Sequence, residues 1–261
     1  MAATKPPVIG TAVIAWGDAF RAIGAMPVVA GIAFALVLAT SVASFAIIPD
    51  PYALVGSPWL PVVSIGSSIV QAVLLAPLAI AVHRFVLLGE TTNRYPLEPG
   101  SSRYLRFVGF AILVKILWLI PSTIESLIPG AENNPAVTAG LGIVVLALFI
   151  TVVIIVVRRA ILFPAIAIDA PGATWSKAGL DTKGISWRVA FIFFLTALPL
   201  LVIGGPLYWL LLTPQAQPST ASWLFFSVIG AVIGVPALCA FAAAASHIYR
   251  ARADVMTRSS G

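Results

Sequence analysis

Six stretches of mainly apolar sequence, each about 20 residues or longer, alternate with two kinds of connection, one rich in Lys and Arg and the other containing neither. A bilayer core roughly 30 Å thick is crossed by about 20 apolar residues of α-helix. The pattern predicts six transmembrane helices over 27–48, 60–82, 105–128, 137–157, 187–212 and 223–247. All but one of the 15 basic residues fall in four clusters: Lys5 and Arg21; Arg84, Arg94, Arg103 and Arg106; Arg158, Arg159, Lys177, Lys183 and Arg188; and Arg250, Arg252 and Arg258. The connections 49–59, 129–136 and 213–222 are short and Pro-containing and have no Lys or Arg. Basic residues stay on the cytoplasmic side. The expectation is therefore three antiparallel hairpins in one membrane domain spanning 1–261, with both termini and the 251–261 tail cytoplasmic.

Composition agrees with this. The chain is 60% hydrophobic and only 9% charged, against about 25% charged in soluble proteins. A pI near 9.9 points to an anionic leaflet rather than nucleic acid, because the charges sit at span boundaries and not in one stripe. The single cysteine, Cys239, excludes an intrachain disulfide and a thiolate metal cluster.

Asp18 and Arg21 interrupt the apolar run near the N-terminus, so a cleavable leader is not expected. Val8, Ala12, Val13, Trp16, Phe20 and Ile23 share a helical face, which predicts an interfacial amphipathic helix over 8–23 with Asp18 and Arg21 pointing elsewhere. Tyr52, Trp59, Tyr208, Trp209 and Trp223 mark one boundary of the spans. Trp16, Tyr95, Tyr104, Trp175, Trp187 and Tyr249 mark the other.

The second helix of each hairpin ends alike: Ala81-Val82-His83-Arg84, Val156-Val157-Arg158-Arg159 and Ser246-His247-Ile248-Tyr249-Arg250. This is the topology rule acting three times in preference to a divergent repeat. The third basic segment is unusual because the apolar residues 160–168 follow Arg158-Arg159. Either the fourth span projects beyond the membrane, or it shifts and buries both arginines, or it breaks at Pro164 and leaves an interfacial segment. A short helix over 174–180, a stop at Gly184 and a cap at Ser186 are expected next.

The run Arg158…Phe163-Pro164-Ala165-Ile166-Ala167-Ile168-Asp169, then Trp175-Ser176-Lys177-Ala178…Thr182-Lys183-Gly184…Trp187-Arg188, resembles YciC-like bacterial inner-membrane proteins. It also resembles the membrane domain attached to some glycerophosphodiester phosphodiesterases. Residues 81–90 share the likeness. The resemblance implies a six-helix inner-membrane fold and supplies no catalytic residue; nothing matches the phosphodiesterase's own carboxylate clusters.

Lys115 lies outside every basic cluster, near the middle of the third span, where a cation costs about 2.5–3.5 kcal/mol. It either meets a partner inside the bundle or snorkels. Ser64, Ser68 and Gln71 follow one face of the second span, and Ser122 shares the Lys115 face. These five residues form a candidate polar seam, serving either interhelical hydrogen bonding or a solute, ion or lipid path. Arg158 and Arg159 are candidate lipid-headgroup contacts, with Asp169 or Glu90 as alternative partners and ordinary boundary charge as the plain reading. His83 and His247 are expected at the interface. No catalytic, metal or cofactor motif is present. Gly31, Ala35, Ala39 and Ala43, Gly230 and Gly234, and the alanines of 240–245 form small stripes expected to pack within the chain, with a homodimer as the alternative. Pro206, after Gly204-Gly205, is expected to break or kink the fifth span. The functional expectation is a non-enzymatic inner-membrane module contacting lipid or a partner protein, or alternatively a small-solute, ion or lipid transporter using the seam.

Overall fold

A computed structural model describes residues 6–47, 59–126, 135–212, 220–253 and Met256. Among these residues every regular element is helical: α1 (Val8–Ala25), α2 (Pro27–Ile47), α3 (Trp59–Leu88), α4 (Ser102–Ser126), α5 (Pro135–Arg159), α6 (Leu162–Ala167), α7 (Trp175–Asp181), α8 (Ser186–Leu212) and α9 (Thr220–Arg252). Seven of them are long and apolar enough to cross a membrane: the six expected from sequence and also α1. The three connections without basic residues lie mostly outside the described residues.

Helices joined by short connections contact each other as expected: α2 with α3, α4 with α5, and α8 with α9. The architecture comes from the contacts between these pairs. α3 packs on α4, α4 on α5, α5 on α8, α8 on α9, and α9 back on α3, which closes a ring of five helices. α2 lies against α3 and α9, and α1 against α8, α9 and α3. Pro27 opens α2 at the first helical position, where its missing N–H costs no bond, directly after the non-helical Met26 (φ −131°, ψ 56°).

The buried face of α1 is not the predicted one. Thr11, Ala12, Ala15, Asp18, Ala19 and Ala22 are buried, while Val13 and Phe20 are exposed. Small side chains let α1 approach α9 closely. Asp18 can join that face because the His247 Nε2 lies 2.6 Å from its Oδ2 and Arg21 donates to its other oxygen. Val13 and Phe20 of the predicted apolar face stay exposed, while the small residues of the neighbouring face pack within the protein.

The apolar residues after the arginine pair have a clear place. α5 ends at Arg159, and the chain turns at Ala160 and Ile161. α6 then folds under the ring, against α3, α4 and α9. Ile161, Leu162, Ala165, Ile166 and Ala167 are all buried. The break thus precedes Pro164, which sits in the first turn of α6 where proline is tolerated, and the segment is a plug rather than an interfacial strip. Thr174 caps α7, its hydroxyl accepting from the Lys177 N–H at 3.4 Å. Gly184 takes φ +81° after α7, as a helix stop requires. Ser186 begins α8 and donates to the Thr182 carbonyl instead of capping it. α8 also continues through Gly204-Gly205-Pro206 without a break.

Several helices run past their expected ends. α3 reaches Leu88 and α9 reaches Arg252 because their arginines bond to neighbouring backbone instead of terminating the helix. Arg84 donates to the Ala167 carbonyl at 3.1 Å, Arg106 to Ala173 at 2.7 Å, Arg252 to Asp181 at 3.2 Å, and Arg250 to Val86. Met256 belongs to the same construction. Its carbonyl accepts from the Gly172 N–H at 3.1 Å, and its own N–H donates to the Asp181 carboxylate at 3.1 Å.

The small-residue stripes divide. Ala240 and Ala242–Ala245 are buried between helices. Gly31, Ala35, Ala39 and Ala43, with Gly230 and Gly234, face outward. This corrects the expectation for those two stripes: α2 packs through Val29 and Ala33 instead, next to the buried Met26 that precedes it.

Candidate functional site

Between the helices of the five-helix ring lies an open cavity of about 570 Å³, within the roughly 300–1,000 Å³ of ordinary ligand sites. α3 contributes Gln71, Leu75, Ala76 and Ala79, and α4 contributes Phe107, Val114, Lys115 and Trp118. Val156 and Val157 come from α5, Phe193 from α8, and Leu238, Phe241 and Ala242 from α9. Phe163 of the α6 plug and His83 close the basic end. Alanines make up half of the α3 and α9 walls: Ala72, Ala76, Ala79, Ala242 and Ala245. The space exists because those positions carry methyl groups where a filled core would carry larger side chains.

The polar seam is realised in part. Gln71 and Lys115 line this one cavity. Ser68 is half-buried on α3 but does not line it, and the side chains of Ser64 and Ser122 lie outside the described residues. Lys115 is exposed at the cavity, and no hydrogen bond or ion pair joins it to another described residue. Beside it, Trp118 packs edge-on against Phe149 with ring centroids 5.5 Å apart.

The opposite end holds His83, which sequence reasoning placed at the interface and the structure buries almost completely. Its Nδ1 lies 2.8 Å from Ser246 Oγ. Ser246 in turn donates to the Ala242 carbonyl at 2.9 Å. With the hydroxyl proton committed to that carbonyl, hydrogen-bond accounting makes Nδ1 the donor to Oγ. That is the reverse of the arrangement in which histidine takes a proton from serine. Phe107 and Phe163, 5.0 Å apart, complete this end, with Phe107 5.9 Å from the His83 ring.

Proline chemistry positions the α3 wall. Pro77 lacks an N–H, so the Val73 carbonyl loses its intrahelical partner. Tyr104 donates to Val73 O at 2.8 Å, and Tyr95 donates to Leu74 O. Burial pushes the Tyr95 phenol up from its usual range, with the neighbouring Tyr104 adding to the effect. Trp16 treats α8 similarly: its Nε1–H donates at 3.1 Å to Thr196 O, three residues before Pro199. Three aromatics expected only as boundary anchors therefore reach into the bundle and satisfy carbonyls beside prolines. The sequence signal was present in the in-span prolines, but nothing in it paired each with a donor.

The arginine pair turns toward α7. Arg158 donates to Gly179 O at 3.0 Å while Thr182 donates to Arg158 O at 2.9 Å. The Arg159 guanidinium sits 4.8 Å from the centre of the Trp175 ring and occupies the space a Cβ on Gly179 would need. Arg158 Nε and Arg159 NH1 retain buried N–H groups without a partner. The acidic alternatives are engaged elsewhere, Glu90 by Arg84 at 2.6 Å and Asp169 by Arg103 at 2.7 Å.

No family model matches this chain, and neither a curated protein nor a solved structure is significantly similar to it.

Proposed function

We propose that this chain is a non-enzymatic integral membrane protein that holds a lipid-like molecule inside its five-helix ring. The carrying observation is the cavity itself: its lining is mostly apolar, and its polar side chains Gln71 and Lys115 come twelve residues before His83 on α3 and eight residues after Phe107 on α4, both away from the His83–Phe107 contact. An aqueous solute path would need polar groups along its length. Here the basic end is closed by Phe107, Phe163 and the buried plug, which favours retention or handling of an apolar molecule over conduction of ions. The His83–Ser246 pair has the wrong donor direction for nucleophilic catalysis, which supports the non-enzymatic reading. In this proposal the protein sits in a bacterial inner membrane with both termini cytoplasmic, as the basic clusters and the YciC-like resemblance suggest. Arg158 and Arg159 lie at the headgroup level of that leaflet.

The test is lipid retention. Wild-type protein purified in a mild detergent and examined by native mass spectrometry is expected to carry a bound lipid-like mass. Ala242→Trp, which fills the cavity from α9, is expected to lose it while keeping its helical content, with a lower melting temperature from overpacking and from loss of the ligand. Equal retention by a folded Ala242→Trp protein would sink the proposal.

A further inference from the structure

We infer that the occupant of the ring is an anionic amphiphile, a single acyl chain ending in a carboxylate or phosphate, with its acid group on Lys115 and Gln71 and its tail directed toward His83. This rests on the cavity being a lipid site, as proposed above, and adds the headgroup charge and the orientation.

The two ends of the cavity differ in what they offer. Lys115 brings a full positive charge to the wall and has no partner among the described residues. Cations within a span pair with an anion or reach water, and none of the carboxylates Asp18, Glu90, Asp169 and Asp181 lines this cavity. Gln71 adds two N–H donors at the same end. A carboxylate or phosphate there would receive charge-assisted hydrogen bonds, which are stronger than neutral ones. At the other end, His83 uses Nδ1–H on Ser246, so the neutral ring has only the Nε2 lone pair left. A lone pair among Phe107, Phe163 and alanines repels an anion and tolerates a hydrocarbon terminus. The acid therefore belongs at the Lys115 end.

Length is consistent with an acyl chain. Gln71 and His83 line the same wall of α3, and twelve residues of helix rise about 18 Å at 1.5 Å per residue. The walls between them are Leu75, Ala76 and Ala79, facing Val114 and Phe107 on α4. None of these can hydrogen-bond through its side chain, so the stretch recognises methylene groups.

The experiment uses the full chain in detergent with three radiolabelled probes of one chain length: oleate, oleyl phosphate and neutral oleyl alcohol. Wild type is expected to bind at least one of the two anions roughly tenfold or more tightly than the alcohol, the factor expected of one charge-assisted contact. Tighter binding of oleate or of oleyl phosphate assigns the acid as carboxylate or phosphate. Lys115→Gln is expected to erase the preference for the anion, and Lys115→Arg to retain it. Two results overturn the inference while leaving the cavity a lipid site: equal binding of anion and alcohol by wild type, or an anion preference that survives Lys115→Gln. If none of the probes binds wild type, the lipid-site reading falls and this inference falls with it.

Discussion

At the basic end of the ring, arginines of α3, α4, α5 and α9 donate to the carbonyls of Ala167, Ala173, Gly179 and Asp181, and α6 is packed beneath them with Ile161, Ala165 and Ala167 wholly buried. Beyond Lys115 the same helices show their side chains to the outside: Ile143, Val144 and Leu146 on α5, Leu201, Val202 and Ile203 on α8, and Leu224, Phe225 and Val228 on α9 are all exposed. One half of the molecule is held by its own contacts, and the other half relies on the surrounding hydrocarbon. The difference is physical. In lipid, burying one apolar side chain against another gains little, because acyl chains are already apolar. Directional bonds to otherwise unsatisfied carbonyls hold the basic end together. The cavity lies where the two regimes meet.

The largest expected effect comes from testing that contrast directly. Ile161 is fully buried in the plug, and removing its side chain is expected to cost about 2–5 kcal/mol, the range for buried large-to-Ala changes. Val202→Ala, on the exposed far half, is expected to stay within about 0.5 kcal/mol of wild type. Thermal unfolding of both variants in the same detergent measures the two costs. Equal losses would mean that the far half is as tightly packed as the basic end, and the comparison would fail.

An effect of intermediate size concerns the α3 wall. Tyr104→Phe removes the donor to Val73 O and leaves a buried carbonyl unsatisfied, at a cost of about 1–3 kcal/mol. Pro77→Ala restores the N–H whose absence freed that carbonyl. The double variant is therefore expected to lose less than the sum of the single losses. A double-mutant cycle from chemical denaturation reads this coupling. Strict additivity would show that Tyr104 acts only by packing, and that the proline and the tyrosine are unrelated.

Much of this was legible in the sequence. Hydrophobic length and the alternation of basic clusters fixed the helices and which of them are neighbours, because in a membrane both are consequences of solvation. Lys115 and Gln71 stood out for the same reason, and the structure brings both to one cavity. The ring closure from α9 to α3 was not legible, because it depends on alanines that carry little periodic signal. The burial of His83 within the bundle was not legible, because its neighbour Arg84 reads as a span boundary, whereas Arg84 bonds to Ala167 O and α3 continues to Leu88. The plug at 161–167 appeared only as an excess of apolar residues. Sequence could say that they need burial but not that they turn back under the ring.

The smallest expected effect tests whether ion pairs at the basic end matter beyond the carbonyl contacts. Arg103 and Asp169 meet through Nε and Oδ2 at 2.7 Å, but their side chains are 33% and 48% exposed. An exposed pair in water is worth about 0.2–1 kcal/mol and weakens as salt rises. Asp169 also has φ 54°, a left-handed conformation that aspartate adopts more readily than most residues, so its backbone does not depend on the pair. Arg103→Gln is therefore expected to lower stability by no more than about 1 kcal/mol, and by less at high salt, as measured by thermal unfolding across a salt series. Arg106, by contrast, donates to a backbone carbonyl, Ala173 O, and Arg106→Gln should cost more and show little salt dependence. If Arg103→Gln proved the costlier change, charge pairing rather than carbonyl bonding would be what holds the basic end, and the account of why the two halves differ would have to be rebuilt on that footing.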